Sequence, residues 1–422
     1  MDRIFARSPL RRPAYLRLWL GQTASRIGDQ FTVIALLWFV LQVTKSGAAV
    51  GLTVLCFELP GVVTGPLLGR LLDRLQPRAL IGIDNLLRAL VIALIPALHA
   101  LGVLAIWQVY VLALCAGALS PTTVVGERVI VPQLVPDDEL DRANALSSVS
   151  LQFTLLVGPV AAGIFVTVAG APAALLVDAA SFVIMALVAF TLPEVPRSTR
   201  VPSVRDERGA VRTRRFGVLF AMKDVRALTL LAFVFFFSYG PLEAALPVYN
   251  QDALHSDALG YGLLWTGFGI GALIGALCTG LVARRRRPGV LLACIAILWG
   301  ALLSPLAFLH LLPPAMLFLG LAGCAWAPYT AIETSLLQRL IPPSMRGAVF
   351  GERATITTAA APLGAVLGGI LLGSISASAV IGLSALACVL SGTFSLFSPT
   401  LRGLRRRDGA PDGAALPLVD PA

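Results

Sequence analysis

The residues of this chain able to do chemistry are ionisable groups set deep in apolar sequence. Arg26 and Asp29 stand three apart, on one face of a helix. Glu58 sits in Phe57-Glu58-Leu59-Pro60, and Glu243 in Pro241-Leu242-Glu243-Ala244. Glu127 and Glu333 each close an apolar run, while Asp84 and Arg88 are four apart in another. Protonation removes the charge that makes a buried carboxylate costly, so groups of this kind suit proton binding and release. Arg26 and Asp29 are expected to pair locally, either as a static ion pair or as a switch that protonation of Asp29 opens. Asp84 and Arg88 are expected to pair in the same way, as a structural contact. Asp29, Glu58, Glu243, Glu127 and Glu333 are the proton-coupling candidates, with Arg26 as charge partner.

Other chemistries lack their residues. The three histidines, His99, His255 and His310, fall in or beside one set of loops and form no H-E-x-x-H pattern. No G-x-S-x-G or G-x-x-x-x-G-K-[ST] occurs, which argues against an enzyme and against ATP-driven work by this chain. The six cysteines lie in apolar segments without a C-x-x-C pair and read as small hydrophobes. Neither cofactor nor metal is expected.

The elements that must position the charged groups are membrane helices. Of 422 residues 57% are hydrophobic and 13% charged, and mean hydropathy is +0.83; soluble domains carry about 25% charged residues. Twelve continuous apolar segments reach the ~20 residues a helical span needs: 15–42, 48–72, 79–100, 104–131, 143–168, 171–193, 226–250, 258–283, 288–310, 313–338, 347–373 and 377–400. Nearly all of the 33 Lys and Arg fall in alternate loops, at their edges or in the tails; Lys45 is alone on the opposite side. That asymmetry places both termini in the cytoplasm and the chain in the inner membrane. The net charge of +10 is therefore topological, and no nucleic-acid partner is expected. The partners are the lipid bilayer, protons and a small molecule, and the chain is expected to be a monomer.

The segments form a repeat. Gln133-Leu134-Val135-Pro136 ends the fourth and Arg339-Leu340-Ile341-Pro342 the tenth, an offset of 342 − 136 = 206, which Glu127 and Glu333 share. Gly158-Pro159 and Ala361-Pro362 follow in the fifth and eleventh. The expected organisation is a segment 1–14, a six-helix half 15–193, a basic linker 194–225, a second six-helix half 226–400 and a disordered tail 401–422.

Gly69-Arg70-Leu71-Leu72-Asp73-Arg74-Leu75-Gln76-Pro77-Arg78 resembles the G-x-L-a-D-r-x-G-r-[KR] loop of the major facilitator superfamily, departing at Gln76 and Pro77. Its counterpart, Gly280 to Arg287, has Arg284 in place of the acid. Leu156 to Gly163 resembles the G-P-x-x-G-G element of the superfamily's exporters, with Ala162 replacing one glycine. Leu18-Trp19-Leu20-Gly21-Gln22, Gly28-Asp29 and Asp84 to Ala89 are similar to the drug:proton antiporter branch that includes macrolide-efflux and enterobactin-exporter proteins. The resemblance implies an all-α fold of twelve transmembrane helices in two pseudo-repeats. It implies a gating latch at Gly69, Asp73, Arg74 and Arg78, and a close helix crossing at Gly158, Pro159 and Gly163. It also implies a cavity lined by the first, fourth, seventh and tenth spans, where Gln30, Trp38, Tyr239, Trp326 and Tyr329 are available. The implied activity is proton-coupled export of a drug, siderophore or natural product; a lipid flippase, or an importer or uniporter, uses the same scaffold.

Overall fold

A computed structural model describes residues 9–194, 218–282, 287–342 and 345–404 of the chain, with backbone alone for 66, 69, 70, 72–74, 124, 125, 281, 282, 347 and 348. Gly69, Asp73 and Arg74 are thus placed on a helix without a described side chain. The basic linker from 195 to 217, Arg284 to Arg286 and the tail from 405 lie outside the described residues.

Among the described residues, twelve helices are long and apolar enough to cross a membrane. In order they are α1 (Pro13–Thr44), α2 (Gly47–Arg74), α3 (Pro77–Ala100), α4 (Ile106–Leu134), α5 (Leu140–Ala169), α6 (Ala171–Phe190), α7 (Lys223–Asp252), α8 (Ala258–Val282), α9 (Pro288–Leu303), α10 (Leu312–Leu340), α11 (Arg346–Leu371) and α12 (Ala377–Phe397). Proline in the first turn starts α1, α3 and α9, where its missing N–H costs nothing. Pro121 restarts α4 after a break at Ser120. Lys45 closes α1 in the left-handed conformation at φ 52°, and the Ser46 hydroxyl then caps α2 by accepting from the Ala49 N–H at 3.3 Å.

The packing repeats. In the N-terminal half (α1–α6), α6 packs on α1 and α3, α1 on α5, and α2 on α4; in the C-terminal half (α7–α12), α12 packs on α7 and α9, α7 on α11, and α8 on α10. The halves meet through α2 against α11 and α5 against α8, which exchange under the same repeat. Both seams rest on glycine. A Cβ on Gly369 would come within 3.1 Å of the Ala48 Cα, and one on Gly163 within 3.0 Å of the Leu259 Cα. Only small residues let backbones approach this closely, which replaces the hydrophobic drive that lipid cannot supply.

The Lys- and Arg-rich loops gather at one end of the bundle, called here the basic end; Lys45 and His255 mark the other, charge-poor end. Among the described residues, the hydrogen bonds between halves lie at the charge-poor end. The Gln42 Nε2 donates to the Gln251 Oε1 at 3.1 Å, Thr167 Oγ1 donates to Asp257 Oδ2 at 3.3 Å, and the Leu259 N–H donates to Thr167 Oγ1 at 3.1 Å.

Candidate functional site

Between the halves lies a cavity of about 570 Å³. α1 contributes Gln30, Val33, Ile34 and Leu37, α2 Val54 and Glu58, and α5 Gln152, Leu155 and Pro159. From the other half come Tyr239 and Glu243 of α7, Trp326, Ala327 and Thr330 of α10, and the α8 row Tyr261, Trp265, Phe268, Gly269, Ala272 and Ala276. The 4-3-4-4 spacing of Tyr261, Trp265, Phe268, Ala272 and Ala276 keeps that row on one helical face. The wall is therefore aromatic and aliphatic with a few polar groups, the usual make-up of a small-molecule site. Aromatic faces suit planar or cationic groups.

Two carboxyls face this apolar space, one from each half. Tyr239 stands one turn before Glu243 with its hydroxyl beside that carboxyl, whose Oε2 has no protein partner. The indole N–H of Trp326 is also without one. A ligand would meet a donor, an unpaired carboxyl oxygen and stacked rings around one volume.

Of the candidates read from sequence, Gln30, Glu58, Tyr239, Glu243 and Trp326 line the cavity, and Asp29, Glu127, Glu333, Trp38 and Tyr329 do not. Trp38 instead stacks behind the liner Tyr261, with ring centroids 6.3 Å apart. Tyr329 is fully buried within the C-terminal half and stacks on Phe235 at 4.7 Å. Of the first, fourth, seventh and tenth spans expected to line the cavity, α1, α7 and α10 do; α4 contributes no lining residue, its Glu127 being turned to Arg26 of α1, and α2, α5 and α8 complete the wall instead. The evenly spaced aromatic row of α8 was the sequence signal for the missed residues.

The local ion pairs do not form. Arg26 turns from Asp29 to Glu127 of α4, Nη2 to Oε2 at 2.6 Å, and Nη1 donates to the Ser147 carbonyl at 3.2 Å. Arg88 leaves Asp84 for Asp29, 2.7 Å away on α1. Partners three or four apart share a face, but that face is packed against a neighbour, so the side chains reach across it. Arg26 belongs to a longer polar seam between α1 and the start of α5. Arg12 meets Glu139 at 2.9 Å, the Tyr15 hydroxyl donates to the Ala143 carbonyl at 2.9 Å, the Trp19 indole to the Leu146 carbonyl at 3.3 Å, and Thr23 and Ser150 share a bond of 2.6 Å. At about 0.6 kcal/mol per interhelical contact the four bonds made by Tyr15, Trp19, Thr23 and Arg26 are together worth about 2 kcal/mol.

Glu127 and Glu333 are matched by position. The Ser147 hydroxyl donates to Glu127 Oε1 at 2.7 Å, and Arg353 bonds Glu333 at 2.5 Å. Ser147 and Arg353 keep the repeat offset, 353 − 147 = 206. Each half thus holds its glutamate from an equivalent position, with the cation supplied by α1 in one half and α11 in the other.

Of the crossing read at Gly158, Pro159 and Gly163, Pro159 and Gly163 join the halves through α8, and Gly158 packs on α1 of its own half. A Cβ on Gly163 would lie 2.7 Å from the Ala258 carbonyl oxygen of α8, and one on Gly158 would meet the Gln30 side chain, 2.7 Å from its Cβ. Arg78 donates to the Leu192 carbonyl at 3.0 Å and pairs with Glu194, holding α3 to the chain just beyond α6. Among the described residues no cluster of three or more His, Cys, Asp or Glu could hold a metal ion.

Residues 18–361 match the family described as Major Facilitator Superfamily. The chain is 29% identical over 406 residues to the "Multidrug efflux pump Tap" of Mycolicibacterium fortuitum, covering 93% of this chain and 97% of that protein. It is 25% identical over 362 residues to the "Macrolide efflux protein A" of Streptococcus pyogenes, covering 84% and 88%. Among solved structures the nucleoside transporter NupG superposes with a TM-score of 0.74 at 14% identity, covering 91% of this chain and 98% of that one. A bacterial homologue of the iron transporter ferroportin gives 0.69 at 17% identity, covering 91% and 98%.

Proposed function

The chain belongs to the major facilitator superfamily, and on that premise we propose that it is a proton-coupled exporter of hydrophobic or amphipathic small molecules, such as a drug, siderophore or natural product, working by alternating access. The observation that carries this reading is the cavity itself: an aromatic wall between two six-helix halves, with one carboxyl from each half, Glu58 and Glu243, facing it. Relatives named as multidrug and macrolide efflux pumps support export over import. The Lys and Arg asymmetry supports an inner-membrane monomer with both termini cytoplasmic, halves at 15–193 and 226–400, a linker at 194–225 and tails at 1–14 and 401–422.

In that orientation the basic end faces the cytoplasm. The halves are bonded at the outer end through Gln42–Gln251 and Thr167–Asp257, and the cavity is in its loading state. A cationic or amphipathic ligand enters from the cytoplasm or inner leaflet, its rings against Tyr261, Trp265 and Trp326. Its charge replaces the proton on Glu243 or Glu58, and that proton passes to the water of the cavity. The halves then rock, with Gly69, Asp73, Arg74 and Arg78 forming and breaking the latch. On the outer side a proton returns to the carboxylate and the ligand leaves. Arg26–Glu127 and Glu333–Arg353 keep each half rigid while this happens.

The test is proton release from purified protein on adding a panel of cationic drugs and siderophores, with Glu58→Gln, Glu243→Gln and Asp29→Asn alongside. Release that Glu243→Gln or Glu58→Gln abolishes while Asp29→Asn keeps it supports the reading. Binding without release in wild-type protein removes it and moves weight to a uniporter, or to a lipid flippase. For the latter the α2–α11 seam is the candidate opening, where among the described residues Gly47, Gly51 and Gly369 make the close approach at the charge-poor end.

A further inference from the structure

Three carboxylates and one arginine are gathered inside the N-terminal half, and none of them lines the cavity. Arg88, 5% exposed, bonds Asp29 at 2.7 Å and lays its guanidinium over the ring of Phe182 at 4.0 Å. Asp178 of α6, fully buried, accepts hydrogen bonds from the hydroxyls of Thr32 at 2.5 Å and Ser181 at 3.0 Å. Asp84 differs from both. It is 3% exposed, neither of its oxygens has a hydrogen-bond partner, and the Thr122 hydroxyl facing it from α4 is unpartnered too.

With every group ionised this cluster would carry two uncompensated negative charges. Burying an unpaired ion costs several kcal/mol, and a neutral carboxyl far less. Asp178 has two donors and Asp29 has the guanidinium, so Asp84 is where a proton belongs. Arg88 follows Asp84 by four residues on the same face of α3, so one long side chain can serve either Asp84 or Asp29.

We propose that Asp84 is a proton-binding site and that Arg88 exchanges between Asp29 and Asp84, so that the proton resides on whichever carboxyl the guanidinium has left. In the exchange one O–H bond breaks at Asp84 and one forms at Asp29, and the net charge of the cluster is unchanged. The side chain of Asp29 is 36% exposed and the Asp84 oxygens are enclosed, so Asp29 is the end through which a proton enters or leaves. The titratable groups facing the site are Asp29 of α1, Asp178 of α6 and Arg88 of α3 itself; α4 offers Thr122 and Thr123. A metal cation would find few oxygens there and a fixed positive charge beside them.

The measurement is infrared difference spectroscopy on the full-length protein in lipid nanodiscs, reading the carbonyl stretch of protonated carboxyls at neutral pH. Wild type should show a band that Asp84→Asn removes and that Glu58→Gln and Glu243→Gln leave in place. Asp29→Asn should also remove it, because Arg88 then turns to Asp84 and ionises it. If Asp84→Asn removes no band the proton site is overturned, and if the band it removes survives Asp29→Asn the exchange is overturned. Loss of the band when sodium chloride replaces choline chloride makes the site a sodium site and overturns it as well. Should Asp84→Asn fail to fold, wild-type protein carrying aspartate with heavy carbon at its carboxyl decides the matter: a band that shifts with the label supports the proposal, and the absence of any shifted band refutes it. Transport is not read, so the result is separable from the exporter reading.

Discussion

Gly163→Ala isolates the joint between α5 and α8. The new methyl would lie 2.7 Å from the Ala258 carbonyl oxygen, 3.0 Å from the Leu259 Cα and 3.3 Å from the Gly262 Cα. All three are backbone atoms, so no rotamer change relieves them and the helices themselves must separate. Overpacking of this kind costs about 1–3 kcal/mol. The contact joins the two halves, so the cost falls on the conformation in which they meet at the charge-poor end. A coupling of that size shifts a two-state population by about 5- to 150-fold. The assay is the rate of thiol labelling at Ala276→Cys, deep on the basic side of the cavity, and at Leu37→Cys toward the other end. The six native cysteines are first replaced, because Cys278 and Cys294 are exposed. Gly163→Ala should slow labelling at 276 and speed it at 37. Gly280→Ala, with nothing within 4 Å of its added carbon, is the control and should leave both rates alone. Unchanged rates at both sites in a well-folded Gly163→Ala protein would refute the idea that this joint holds the halves together.

Other expectations follow from the same geometry. Glu127→Ala leaves the Arg26 guanidinium, whose side chain is 23% exposed, without its carboxylate; thermal unfolding in detergent should register a loss of about 3–5 kcal/mol, much of it regained in Arg26→Met/Glu127→Leu. Trp326→Ala and Tyr261→Ala should each weaken ligand binding about tenfold or more, whereas Tyr329→Phe, buried away from the cavity, should leave the dissociation constant unchanged in calorimetry. If one proton leaves for each ligand bound, affinity should rise with pH by about tenfold per unit where the carboxyl is protonated, and a pH-independent dissociation constant would contradict that exchange.

Span positions were readable because membrane helices carry their own length scale. The sequence segment 258–283 corresponds to the helix Ala258–Val282, and 377–400 to Ala377–Phe397. Glu58 and Glu243 could be singled out because an acid in a long apolar run is costly wherever it ends up, and both face the cavity. Pairing was not legible. Arg26 with Asp29 and Arg88 with Asp84 are natural partners on an isolated helix, but each arginine has a second carboxylate across a helix–helix contact, and which one it takes depends on tertiary packing. The α8 row was missed for a different reason: Tyr261, Trp265 and Phe268 are ordinary residues for a membrane helix, and only the opposite half turns their face into a wall.

The bond between Arg26 and Glu127 also bears on how the chain is made. The two residues are 101 apart, so at about 5–20 residues per second the first helix waits roughly 5–20 s for its partner to be synthesised. During that interval an unpaired arginine sits well inside α1, at an insertion cost of about 2.5–3.5 kcal/mol. The seam from Tyr15 to Ser150 cannot close until the fifth helix begins to emerge. A nascent α1 should therefore linger at the insertion machinery until α4 and α5 arrive, making the first segment of the chain one of the last to settle.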